Sequence, residues 1–166
     1  SELSFAEVTI AIVRLQSLLN EAAHADPKGD ALAQDTLECL MVTPEGDQHT
    51  LGGFVAATQL RRRGVVVEMS CGEPAAEIRT RIAGHAYDVV MFSCSRERDL
   101  DSIAQIVKHI RQRGSTTPVF ALGGIVCSAV RGLDRLTGVD IATSDIDEVL
   151  AYCGQRSNHS LMRAVR

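Results

Sequence analysis

From Glu38 onward, short and almost continuous apolar runs alternate with segments of helical periodicity. Few folds tolerate that arrangement. A strand apolar on successive residues is buried on both faces, as strands of a parallel sheet covered by helices are. Alternation of such runs with helices is the sign of βαβ units. Five strands are expected, over residues 37–43, 65–69, 87–93, 118–122 and 139–143. The clearest helix spans 99–113, where Leu100, Ile103, Ile106, Val107 and Ile110 recur at spacings of three and four and Gly114 supplies the stop. The helix before Val65 closes with Arg61, Arg62, Arg63 and Gly64. Cations in a last turn complement the helix dipole and Gly commonly follows, so the basic run reads as a helix end rather than an anion site.

The expected architecture is therefore α/β: a flavodoxin-like (Rossmann-like) five-stranded parallel sheet over residues 36–154. Ahead of it, Val8, Ile12, Leu15, Leu19 and Ala22 alternate at spacings of four and three. That is a coiled-coil-like seam, so residues 1–25 are expected as one N-terminal helix that docks on its own sheet or pairs with a second copy in a homodimer. Residues 26–30 (Asp-Pro-Lys-Gly-Asp) read as a linker and 155–166 as a tail. The start at Ser1 and the polar tail are read as those of a piece of a longer protein.

The 166 residues, 45% of them hydrophobic, suffice for one buried core. A net charge of −4 leaves no basic footprint, which argues against direct contact with nucleic acid. No apolar stretch approaches the ~18–20 residues that span a bilayer, and no leader pattern opens the chain; a cytoplasmic protein without a membrane partner is expected. Cys39, Cys71, Cys94, Cys127 and Cys153 are scattered and form no C-x-x-C pair, which suits reduced thiols better than a disulfide framework or a zinc site.

Ligands of open parallel sheets bind beyond the carboxyl ends of the strands, where strand order reverses. The loop after the first strand is the most informative: it holds three glycines, and Asp47 stands two residues before His49. An imidazole can ligate a metal through one nitrogen while a carboxylate accepts the other N–H. One histidine cannot hold a bare ion, and His24, His85, His109 and His159 have no ligand spacing to His49. The other ligands must come from a cofactor, such as the in-plane nitrogens of a corrin or porphyrin. After the third strand stands Ser93-Cys94-Ser95, and after the fourth Gly123-Gly124. Small residues at both places imply a slot, although a tight strand-to-helix turn also accounts for the two glycines. Cys94 and Cys127 belong to the same rim, either as small buried fillers or as thiols open to oxidation.

Together these segments resemble the vitamin B12-binding domain family, whose pattern is D-x-H-x-x-G, then S-x-L, then G-G. Here they read Asp47-x-His49-x-x-Gly52, Ser93-Cys94-Ser95 and Gly123-Gly124. The resemblance implies a cobalamin-binding-domain fold in which His49 is the lower axial ligand of the metal and Asp47 its partner. It implies also that the dimethylbenzimidazole tail lies in a slot, touched by Ser93, with Gly52, Gly123 and Gly124 making room. Two departures fall near that slot. Ser95 replaces the usual Leu, and Gly53-Phe54 stands where many members carry Lys-Asn, so that Phe54 either fills the slot or packs in the core.

The opening Ser4-Phe5-Ala6-Glu7-Val8-Thr9 and Arg14-Leu15-Gln16 resemble the helix ahead of this domain in photosynthesis-gene antirepressors of purple bacteria, of the AppA and PpaA/AerR types. Their version is termed SCHIC, a sensor containing heme instead of cobalamin. That likeness implies a regulatory sensor rather than an enzyme, acting in redox or light control of gene expression. It implies heme as the first cofactor, cobalamin as the alternative, and a transcriptional repressor protein as partner. Heme lacks a nucleotide tail, so eroded slot motifs agree with it. The competing readings are a cobalamin-carrying subunit of a B12-dependent methyltransferase or mutase, and a cofactor-free protein-interaction module. A phosphoryl receiver would need a phosphoacceptor Asp after the third strand, where Ser93 and Cys94 stand.

Overall fold

Successive side chains of a strand point to opposite faces, so a strand apolar throughout must be covered twice. The computed structural model describes residues 14, 36–47, 50–113 and 117–164, the last eight by backbone alone. Its strands are β1 (Glu38–Thr43), β2 (Val66–Cys71), β3 (Val89–Ser93), β4 (Val119–Gly123) and β5 (Ile141–Ala142). They form one wholly parallel sheet in the order β2-β1-β3-β4-β5. The five expected strands are all present, within a few residues of the limits read from the sequence.

Helices α1 (Leu51–Arg62), α2 (Ala75–Gly84), α3 (Leu100–Arg113), α4 (Val126–Ala129), α5 (Leu133–Thr137) and α6 (Ile146–Ala164) occupy the intervals. On one face of the sheet, Leu40, Val42, Val90, Phe92, Phe120 and Leu122 share a core with Ile78 and Ile82 of α2 and the apolar stripe of α3. On the other, Cys39, Met41, Val89, Met91, Val119 and Ala121 meet Ala57 and Leu60 of α1 and Ile146, Val149 and Cys153 of α6. All five stripe positions expected on α3 are buried. A single 3-10 turn, Glu97–Asp99, leads into that helix.

The arginine run behaves as a helix end. Arg61 donates to the Val67 carbonyl at 2.8 Å, and Arg63 grips the Asp147 carboxylate at 2.7 and 3.0 Å, joining α1 to α6. Gly64 follows with φ +82°. Helix α6 runs to Ala164, through most of the segment expected as a tail. Residues 155–164 contain neither Pro nor Gly, so nothing in their backbone chemistry stops the helix. Of the N-terminal helix expected over 1–25, Arg14 alone is described, and it is helical. The rest of that element, the linker and the pairing proposed for them lie outside the described residues. Among the described residues, no helix is long and apolar enough to cross a membrane.

Strand order reverses between β1 and β3, and β1 is flanked by β2 on one edge and β3 on the other: Met41 lies opposite Met69 of β2 and Met91 of β3. The connections leaving the carboxyl ends of β1 and β3 diverge there, leaving the crevice in which such sheets bind ligands.

Candidate functional site

The loop leaving β1 turns at once. The Asp47 N–H donates to the Pro44 carbonyl at 3.1 Å, closing a four-residue turn. Gly46, its third residue, has φ +71°, a conformation that favours glycine there. The turn delivers Asp47 to the crevice, where its side chain is nearly buried at 7% exposure. A buried carboxylate needs donors, and Ser95 supplies them from the loop leaving β3. The Ser95 N–H donates at 3.1 Å, and its hydroxyl lies 2.7 and 2.8 Å from the two carboxylate oxygens. Asp47 thus joins the two loops at the switch point.

A second tie runs beside it. Arg96 donates through Nη1 to the Gly46 carbonyl at 2.6 Å and through Nη2 to the Glu45 carbonyl at 3.3 Å. Its other edge lies on Asp99, at 2.7 and 3.1 Å. That carboxylate holds the guanidinium cationic, pushing its pKa above the ordinary arginine value. Sequence reasoning missed Arg96. The available signal was an arginine three residues before an aspartate at the start of a helix, next to the Ser-Cys-Ser segment.

Gln48 and His49 lie outside the described residues, so the assignment of His49 as metal ligand, and of Asp47 as its partner, stands on the sequence. Among the described residues, no three His, Cys, Asp or Glu side chains gather to hold a metal ion. A metal at this edge would take its remaining ligands from a cofactor.

The small residues stand where the sequence placed them, at the carboxyl edge. Ser93 ends β3 opposite Gly123 of β4. A Cβ added to Gly52 would lie 3.7 Å from Ser93 Oγ, and one added to Gly53 would lie 3.1 Å from Thr43 Oγ1 and 3.4 Å from Ser93 Cβ. A Cβ on Gly123 would meet the Thr143 carbonyl oxygen at 3.2 Å. Gly124, at φ +99°, lies so close to the Cys94 backbone that a Cβ would overlap its carbonyl and approach its nitrogen to 2.9 Å. The room made by Gly53, Gly123 and Gly124 is therefore taken largely by the chain itself. Ser95, read as a departure beside the slot, instead engages Asp47. Phe54 is half-buried and belongs to neither core.

Cys94 is buried with its thiol 3.2 Å from the Arg96 carbonyl, and half-buried Cys127 has its thiol 3.4 Å from that of Leu122. Burial pushes both thiols up, away from the thiolate that oxidation chemistry needs. Cys94 lies in the core shared with α2 and α3, and Cys127 packs against it.

A tetrapyrrole meets a divided answer at this edge. The loop bearing Asp47 agrees with such a group, because its stem is tied at the switch point and a buried carboxylate stands two residues before His49 in the sequence. The small-residue shelf does not fit a nucleotide tail, because Gly53 rests on Thr43 and Ser93 with less than a methyl group to spare.

Fold and loops together define a doubly wound α/β domain whose ligand edge lies between β1 and β3. The B12 binding domain family matches residues 37–149, and the chain belongs to that family. A Rhodobacter capsulatus relative, an uncharacterized 20.5 kDa protein of the bchF-crtJ intergenic region, is 29% identical over 149 residues, which is 90% of this chain and 78% of the relative. Among solved structures, a cobalamin-binding protein from Desulfitobacterium hafniense aligns with TM-score 0.64 and 16% identity, over 87% of this chain and 80% of that one. The methanol:cobalamin methyltransferase complex MtaBC from Methanosarcina barkeri aligns with TM-score 0.55 and 15% identity, over 84% of this chain and 52% of that one. At those identities the two structures speak for the fold.

Proposed function

We propose that this chain is a non-catalytic regulatory domain that binds a tetrapyrrole and acts on a transcriptional repressor protein, as part of an antirepressor in the redox or light control of genes. Heme is the cofactor this reading favours and cobalamin is its alternative. His49 would ligate the metal, and Asp47 would fix the imidazole. The observation that carries the reading is the pair of ties, Ser95 on Asp47 and Arg96 on the Glu45 and Gly46 carbonyls, which anchor the stem of the His49 loop at the switch point.

Support comes also from family membership and from the relative of the bchF-crtJ region, which agrees with the likeness to photosynthesis-gene antirepressors. When bound, the macrocycle would supply four in-plane nitrogens and a metal whose spectrum and axial bonding report its state. The chain's own part would be to present the His49 imidazole from a loop whose stem is tied to the β3–α3 connection. Asp47 and Ser95 join the β1–α1 and β3–α3 connections, so a partner would meet both loops at this edge.

The test is an absorbance titration of the 166-residue chain with hemin and with hydroxocobalamin. A shifted metal-ligand band that disappears in His49→Ala supports the assignment. Bands that form identically in wild type and variant remove His49 from the site.

A further inference from the structure

The carboxyl edge has a detail on which the tetrapyrrole reading is silent, and the following inference rests on that reading. On the face covered by α1 and α6, β1, β3 and β4 finish side by side in Thr43, Ser93 and Gly123. Helix α1 lies on this row through Gly53, which is buried. A single added methyl at Gly53 would come within 3.1 Å of Thr43 Oγ1, 3.4 Å of Ser93 Cβ and 3.6 Å of Ser93 Oγ. An aromatic ring needs about 3.4 Å of clear thickness on each side, roughly the contact distance between carbon atoms. The gap between the first turn of α1 and the sheet end has none.

The neighbouring places where a ring would go are likewise taken. The Thr143 carbonyl closes on Gly123, and the Cys94 backbone on Gly124. One observation points the other way: Thr43 Oγ1 is fully buried and, apart from the Cys71 thiol, has no hydrogen-bond partner among the described residues. That oxygen, however, lies under Gly53 itself. On the Gly53 side even one added methyl would come within 3.1 Å of it, and Ala57 and Leu60, both fully buried one and two turns along, hold α1 on the sheet.

We infer that this domain holds a tetrapyrrole by its macrocycle alone, with no nucleotide tail inserted beneath α1. Its ligand class is then the metallated ring, whether porphyrin or corrin, and a corrinoid's nucleotide stays outside the fold. Gly53 determines this specificity by letting α1 seat directly on Thr43 and Ser93.

The test compares two corrinoids that differ only in the tail, hydroxocobalamin and its nucleotide-free counterpart diaquacobinamide, each titrated by absorbance into the 166-residue chain. Cobinamide is expected to bind at least as tightly as cobalamin. In Gly53→Ala the two affinities are expected to change by the same factor, because the added methyl disturbs packing without meeting a tail. Cobalamin binding tenfold or more tighter than cobinamide, or a Gly53→Ala variant that weakens cobalamin alone, overturns the inference while leaving the tetrapyrrole reading in place. Failure of both corrinoids and of hemin to bind overturns the tetrapyrrole reading and this inference with it.

Discussion

Two glycines separate the cost of a backbone angle from the cost of a collision. Gly64 and Gly124 both have positive φ, +82° and +99°, which side chains adopt at a penalty of about 1–2 kcal/mol. Around Gly64 an added Cβ meets nothing within 4 Å, whereas at Gly124 it runs into the backbone of Cys94, which cannot rotate aside. Gly64→Ala is expected to cost about 1 kcal/mol. Gly124→Ala should cost about 3 kcal/mol or more, because strain and overpacking add. Urea unfolding monitored by circular dichroism measures both. Equal losses in the two variants would mean that the Gly124 turn relaxes away from Cys94.

Among elements, the connections after β1 and β3 matter most, and Arg96 is what makes them one body. Its guanidinium serves two carbonyls and a carboxylate at once, a geometry that a planar fork satisfies and an ammonium does not. Arg96→Ala is expected to leave the far-UV spectrum and the melting temperature nearly unchanged, since the side chain lies outside both cores. It should speed amide exchange at Ser95 and Asp47 by about tenfold, as local opening becomes easier. Arg96→Lys should recover only part of that protection. Unchanged exchange in the alanine variant would show that Asp47 and Ser95 hold the loops unaided. The strands and α3 were legible in the sequence because burial on both faces, or on one stripe, leaves a pattern in the residues themselves. The placement of Asp47, Ser93, Gly123 and Gly124 at one edge followed from topology once the strands were known. What the sequence did not reveal were the partners. The Ser95–Asp47 bonds and the grip of Arg96 span about fifty positions, and no local pattern encodes which polar groups meet across two loops. The closeness of Gly53 to Thr43 was hidden for the same reason: it is fixed by how α1 seats on the sheet.

For the molecule as a whole, the face covered by α1 and α6 carries a pH dependence that its sequence composition conceals. Cys39 on β1 and Cys153 on α6 are both buried in that core. Desolvation is the main cause that pushes Cys39 up to about 12 and Cys153 up to about 11, and for Cys39 the nearby Cys153 adds to it. In the unfolded chain both titrate near the ordinary value of 9.0. The fold therefore favours the protonated thiols. Their contribution is fully present below about pH 9 and falls as pH rises, because the unfolded chain releases protons that the folded chain keeps. Between about pH 9 and 11 each thiol should remove stability steadily, on the order of a kcal/mol per pH unit. Tyr87, raised by burial and by Glu68, adds to the slope at the upper end of that range. Urea midpoints measured from pH 7 to 11 should thus be flat at first and then fall steeply. In Cys39→Ala/Cys153→Ala the whole curve should lie lower, because two packed sulfurs are lost, yet its alkaline slope should be markedly shallower. Parallel slopes in the two proteins would assign the alkaline loss to other groups and leave the two sulfurs as inert filling between β1 and α6.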